Sequence, residues 1–87
     1  MTNVDQIFVS EVGARLRQKR EKLGLSLEQA SSGAGIHRNS LQFCETGKVA
    51  CTIDTLVKLC RFLRVSPNWA LFGEEKFSKR SKQEANL

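Results

Sequence analysis

Five residues in one short stretch carry most of the chemistry this chain can offer: Arg38, Asn39, Gln42, Phe43 and Thr46. They recur at steps of three and four, so a helix over this stretch shows them on one face. A guanidinium pairs in bidentate fashion with guanine O6 and N7, a carboxamide pairs with adenine N6 and N7, and an apolar side chain packs on a thymine methyl. A helix face built only for solubility carries Glu and Lys more often. The alternative is a mixed solvated face with a stray Phe, and the sequence leaves both readings open. On the opposite side Leu41 and Cys44 point inward, with Ile36 at the preceding turn.

Two charges stand where apolar residues are expected. Arg20 lies four residues after Leu16, and Glu45 lies four after Leu41. A buried charge without a partner costs several kcal/mol. The economical reading is an Arg20–Glu45 ion pair that orients the helix carrying Arg38. The alternative is two independent side chains that reach solvent separately. Further basic residues cluster at Arg15, Arg17, Lys19 and Lys22, at Lys48, at Lys58, Arg61 and Arg64, and at Lys76, Lys79, Arg80 and Lys82. Phosphate contacts need such residues but carry no sequence information, and solubility also accounts for them.

Other chemistry is poorly supplied. The chain has one His and three Cys (Cys44, Cys51, Cys60), with no C-x-x-C pair, so no metal site is expected. An odd cysteine count at irregular spacing suits reduced thiols, with Cys44 and Cys60 as small inward hydrophobes and Cys51 in a loop. No Ser/His/acid set, phosphate-cradling loop or spaced carboxylate pair is present, so neither enzyme activity nor a cofactor is expected. Trp69 is expected to fill the core between the last two helices.

The elements that position these residues are helices. The chain has 87 residues, 40% of them hydrophobic and 26% charged, with a net charge of +5. One small domain with one core and one functional surface is the expectation, and the charge suits a polyanionic partner. No apolar run approaches the ~18 residues of a membrane span. The N-terminus lacks a signal-peptide pattern, so a cytoplasmic, nucleoid-associated location is expected.

Val9, Val12, Leu16 and Leu23 mark a first helix from Ser10 to Gly24. Ser26 and Gln29 form a capping-box pattern for a short second helix ending near Gly33 or Gly35. A third runs from Arg38 to Thr46, closed by Gly47. Thr52 caps a fourth with an inner stripe of Ile53, Leu56, Val57, Leu59, Cys60 and Leu63. Ser66-Pro67 opens a fifth that stops at Gly73. No segment alternates with period two, so the fold class is all-α. The chain divides into an arm or helix extension over 1–9, a five-helix domain over 10–73, and a basic, disordered tail over 74–87.

In order and spacing, these segments resemble the helix-turn-helix domain of lambdoid phage repressors and Cro proteins, the XRE family. The resemblance rests on Leu16-Arg17 to Arg20, on Leu23-Gly24-Leu25-Ser26-Leu27-Glu28-Gln29, and on Gly35-Ile36-His37-Arg38-Asn39-Ser40-Leu41-Gln42-Phe43-Cys44-Glu45-Thr46-Gly47-Lys48. It continues through Ile53-Asp54-Thr55-Leu56 to Leu63 and Val65-Ser66-Pro67-Asn68-Trp69-Ala70-Leu71-Phe72-Gly73. It implies a compact five-helix lambda-repressor-like domain with the third helix in the DNA major groove. It further implies base contacts from Arg38, Asn39 and Phe43, with Gln42 beside them, and phosphate contacts around Thr46, Lys48 and the helix start at Leu27. Arg17 and a protonated His37 are further phosphate candidates.

The chain departs from the family pattern at several places. Ala30-Ser31, Gly33 and Ala34 stand where bulkier or better helix-forming residues are usual, so the second helix is expected to pack loosely, with Gly33 costing roughly 0.5–1 kcal/mol relative to Ala. His37 replaces the usual Ser or Thr cap. The loop Val49-Ala50-Cys51 is apolar where basic residues are common, which suggests that it packs on something such as a second subunit.

The leading expectation is a sequence-specific regulator of transcription, a repressor that binds a palindromic double-stranded operator as a homodimer, with Leu71 and Phe72 as dimer candidates. A prophage, a restriction–modification controller, and an antitoxin with a toxin or antirepressor as protein partner are candidate settings. The alternative is a helical adaptor that binds protein through the same face.

Overall fold

The computed structural model describes residues 3–73, with side chains from Gln6 onward. The expected tail over 74–87 and the first two residues lie outside the described residues. Five helices follow in order: α1 (Asn3–Lys22), α2 (Leu27–Ala34), α3 (Arg38–Thr46), α4 (Ile53–Leu63) and α5 (Pro67–Phe72). No strand occurs among the described residues. Helix α1 starts seven residues before the expected Ser10, because residues 3–9 continue the helix rather than forming a separate arm.

The short helices are stopped and started by local chemistry. At the start of α2, the Ser26 hydroxyl accepts from the Gln29 amide at 3.0 Å, and the Gln29 side chain accepts from the Ser26 amide at 2.8 Å. These bonds satisfy two donors that the helix itself cannot. Thr52 and Ser66 cap α4 and α5 with one such bond each, their hydroxyls accepting from the Thr55 and Trp69 amides. At α3 the cap is His37, whose Nδ1 accepts from the Asn39 amide at 3.2 Å. This bond needs an unprotonated Nδ1 and so places the ring proton on Nε2 in the neutral form.

The core joins Val12 and Leu16 of α1, Ala30 of α2, Leu41 and Cys44 of α3, Leu56, Leu59, Cys60 and Leu63 of α4, and Ala70 of α5. Four residues of the expected inner stripes are not in it. Val9 and Val57 are half-buried, and Leu23 and Ile53 are exposed, Ile53 by 79%. Leu23 follows the last residue of α1 and Ile53 is the first of α4. Burial also pushes the Cys60 thiol up from its ordinary value.

Close backbone approach fixes how α3 lies on α1. A Cβ placed at Gly13 would overlap the carbonyl oxygen of Cys44, so only glycine fits at this crossing. Gln6 adds a bond from its side-chain amide to the Gly47 carbonyl at 3.3 Å. The expectation that Gly33 loosens α2 is overturned. The Phe62 ring of α4 lies over the Gly33 α-carbon, in the space a Cβ would take. The missing side chain is what lets α2 and α4 come together.

Candidate functional site

The outer face of α3 gathers the side chains with the most recognition chemistry. Its inner side is clamped: Leu41 and Cys44 are buried, and Glu45 is held by Arg20 of α1. Arg20 Nε donates to Glu45 Oε2 at 2.7 Å and Arg20 Nη2 donates to Oε1 at 3.0 Å. A third bond runs from Arg20 Nη1 to the Leu25 carbonyl at 2.6 Å. The two residues are only 8% and 7% exposed. The bidentate bond to Glu45 is the main cause that raises the Arg20 pKa above its ordinary value, against the lowering effect of burial. One pair therefore ties the end of α1, the α1–α2 turn and the last turn of α3 together.

With that side fixed, Arg38, Asn39, Gln42 and Phe43 are all exposed on the opposite face. Arg38 is held only by long contacts. Its Nε lies 3.8 Å from Glu28 Oε2 on α2, and its Nη1 lies 3.5 Å from Gln42 Oε1. Contacts of this length hold weakly, so the guanidinium remains available to a ligand. Phe43 is 38% exposed, and the Lys48 ammonium sits 5.3 Å from its ring centroid. That geometry sets a cation over the aromatic face.

The residues expected around this face sit as follows. Thr46 is exposed, and its hydroxyl donates back to the Gln42 carbonyl at 3.0 Å, which leaves its lone pairs for a further partner. His37 and Lys48 are exposed at the two ends of α3. Leu27 is half-buried and packs on the core, so what it offers a ligand is backbone. Arg17 is on α1 and pairs with Glu21 at 3.0 Å, both side chains about half exposed. Leu71 packs against the core and Phe72 is exposed at the end of α5.

Cys44 and Cys51, expected as separate reduced thiols, lie against each other across a sequence separation of seven, with their Cα atoms 5.3 Å apart, a spacing that allows a disulfide. Cys60 is buried and apart from them. Cys44 is still buried, as its inward position suggests. What spacing could not show is that the chain, turning at Gly47, brings the end of the apolar loop back onto the last turn of α3.

Several participants were missed. Arg15 donates from Nε to the Ala70 carbonyl at 2.9 Å and from Nη2 to the Leu71 carbonyl at 2.8 Å. Helix α5 has six residues, and its final carbonyls need donors from elsewhere. An arginine three residues after Val12, at the edge of the inner stripe, was the available signal. Glu28 was also missed, because the pairing with Arg38 depends on how α2 and α3 are set against each other. Trp69, expected to fill the core between the last two helices, is half-buried: it packs against the core and also lines a surface cavity with residues of α1.

The helix-turn-helix family model matches residues 16–69. Among solved structures, the chain is similar to the restriction-modification controller protein C.AhdI from Aeromonas hydrophila, with 30% sequence identity and a TM-score of 0.68. That match covers 74% of this chain and 96% of the other. No curated protein matches the chain significantly.

Proposed function

The chain belongs to the helix-turn-helix family of DNA-binding transcriptional regulators, and we propose that it is a repressor that binds a palindromic operator as a homodimer. The observation that carries this reading is the outer face of α3. It sets Arg38, Asn39, Gln42 and Phe43 in solvent on a helix whose other side is fixed by a buried bidentate ion pair. Arg38 takes the guanine role, Asn39 and Gln42 take adenine edges, and Phe43 packs on a thymine methyl. Thr46, Lys48, Arg17, His37 through its outward Nε2–H, and the backbone at Leu27 approach phosphates.

Dimerisation is supported by the distribution of apolar side chains. Phe8, Val9, Ala50, Cys51 and Leu71 line an apolar groove, and Ile7, Val49 and Phe72 are exposed large hydrophobics on the same helices and loop. A second copy seated there would cover the loop expected to pack on something. Two domains would then read half-sites about 34 Å apart. Among candidate settings, the similarity to a restriction-modification controller favours a controller role over a prophage or antitoxin one. A DNA-binding role also fits a location in the cytoplasm, and no helix among the described residues is long and apolar enough to cross a membrane.

The test is selection from random-sequence duplexes followed by gel shift across a salt series. A palindromic consensus with binding that weakens steeply as salt rises supports the reading. Failure to enrich any sequence, together with salt-insensitive binding of a protein partner, would favour the adaptor instead.

A further inference from the structure

On the far side of α1 from α3 lies a cavity of about 390 Å³, lined by Gln18, Lys19, Lys22, Arg64, Val65, Ser66 and Trp69. Its place follows from helix geometry. Gly13 faces α3 through the Cys44 carbonyl, whereas Arg15 bonds the last carbonyls of α5. Two residues along a helix is roughly 200° of rotation, so these contacts are on nearly opposite sides. Lys19 and Lys22 follow Arg15 by four and seven residues, on the α5 side. The cavity is therefore remote from the face that carries Arg38.

We propose that this cavity binds a small molecule with a planar ring and an anionic group, a carboxylate or a phosphate. Three cations border it, and none of Lys19, Lys22 or Arg64 pairs with a carboxylate among the described residues. Trp69 supplies an aromatic wall against which a ring can stack. The planar guanidinium of Arg64 suits a carboxylate or phosphate edge, and the two ammonium groups add charge without demanding one geometry. The volume lies within the range of small-ligand sites.

The backbone at Arg64 is an independent observation pointing the same way. The described residues include five left-handed positions, and four of them are glycine: Gly24, Gly35, Gly47 and Gly73. The fifth is Arg64, with φ of 61° at the end of α4. A side chain there is strained relative to glycine. The position that retains its side chain is the one that opens onto the cavity.

Trp69 is the sole tryptophan, and the chain has no tyrosine, so its fluorescence reports on the site directly. The full chain is titrated with a mononucleotide, with an aromatic carboxylate, with the neutral nucleoside and with inorganic phosphate. The expected result is a saturable change for one or both anionic ring compounds. A nucleotide response alone assigns the phosphate form and a carboxylate response alone the carboxylate form, while the neutral nucleoside and the bare anion bind at least tenfold more weakly. Lys22→Ala and Arg64→Gly should each weaken binding by about tenfold, the loss of one charge-assisted contact. Arg64→Gly also relieves the backbone, so the variant folds and its loss of binding is attributable to the guanidinium. Arg38→Ala should leave the titration unchanged, because it alters only the α3 face.

The proposal is overturned if no probe produces saturation up to about 5 mM, a range that covers weak small-ligand affinities. Affinity that survives both Lys22→Ala and Arg64→Gly, an equal response to the neutral nucleoside, or a response lost in Arg38→Ala would each overturn it too. So would Trp69 emission that shifts in Glu74→Gln/Glu75→Gln without any added probe. That outcome would assign the cavity to the chain's own carboxylates.

Discussion

At the scale of single residues, the decisive pair is Arg20 and Glu45. Removing the carboxylate strands a buried guanidinium, so Glu45→Ala should destabilise the fold by about 3–5 kcal/mol. Chemical denaturation would show this, and an unchanged midpoint would mean that the pair contributes nothing. The pair brings little pH dependence from its arginine side. A raised folded-state pKa gives stability that is fully present below the unfolded value, and it is lost only as pH rises through the folded one. Both values lie above the range in which the protein is handled, so a melting curve taken from neutral to mildly alkaline pH should show no step due to Arg20. On the outer face, Arg38→Ala should relax the preference at one operator position and weaken specific binding by about 1–3 kcal/mol. Repeating the selection with the variant checks this, and an identical consensus would remove Arg38 from the readers.

At the scale of elements, Gly33 makes the sharpest test because two rules disagree. Helix propensity alone predicts that Gly33→Ala stabilises α2 by roughly 0.5–1 kcal/mol. The Phe62 ring occupies the space of the new methyl, so overpacking should instead destabilise by about 1–3 kcal/mol. Thermal melting gives the sign. The apposition of Cys44 and Cys51 makes a second test at this scale. In the chain-entropy account, a disulfide closing the short loop between them adds roughly 2.5 kcal/mol over the reduced thiols. Denaturation of the oxidised chain with and without reductant should show the difference, and Cys51→Ser should remove it.

These two cases also show where the sequence was and was not readable. The four shorter helices and their ends were legible because the causes are local: Ser26 with Gln29, Thr52, Ser66-Pro67 and the glycines that close α2, α3 and α5 act within a few residues, whereas the start of α1 at Asn3 carries no such signal. The outer face of α3 was legible for the same reason, since steps of three and four fix which residues share a side. Arg20 and Glu45 could be paired because each was a charge on an apolar stripe. Gly33 against Phe62 and Cys44 beside Cys51 were not readable, and for Arg15 only its place at the edge of the stripe was, not its partners at the end of α5. Each joins elements whose approach depends on packing that no local pattern encodes, and at the helix ends Leu23 and Ile53 kept the stripe's periodicity without being buried.

At the scale of the whole molecule, the proposed function depends on two copies acting together. Phe72→Asp puts a charge into the apolar surface near Leu71, so it should shift the chain toward monomer in sedimentation experiments. Operator affinity at low protein concentration should fall with it by at least tenfold, while the preferred half-site stays the same. A variant that remains dimeric would exclude this end of α5 from the interface.

Gly13 has a consequence for how such a protein acquires a new target. Because the first helix meets the Cys44 carbonyl with no side chain between, the mount beneath α3 cannot be shimmed: any bulkier residue pushes the whole rod outward and re-aims every tip at once. Retargeting, whether by evolution or by an engineer, is therefore a matter of exchanging the tips at 38, 39, 42 and 43 on a rail that stays still.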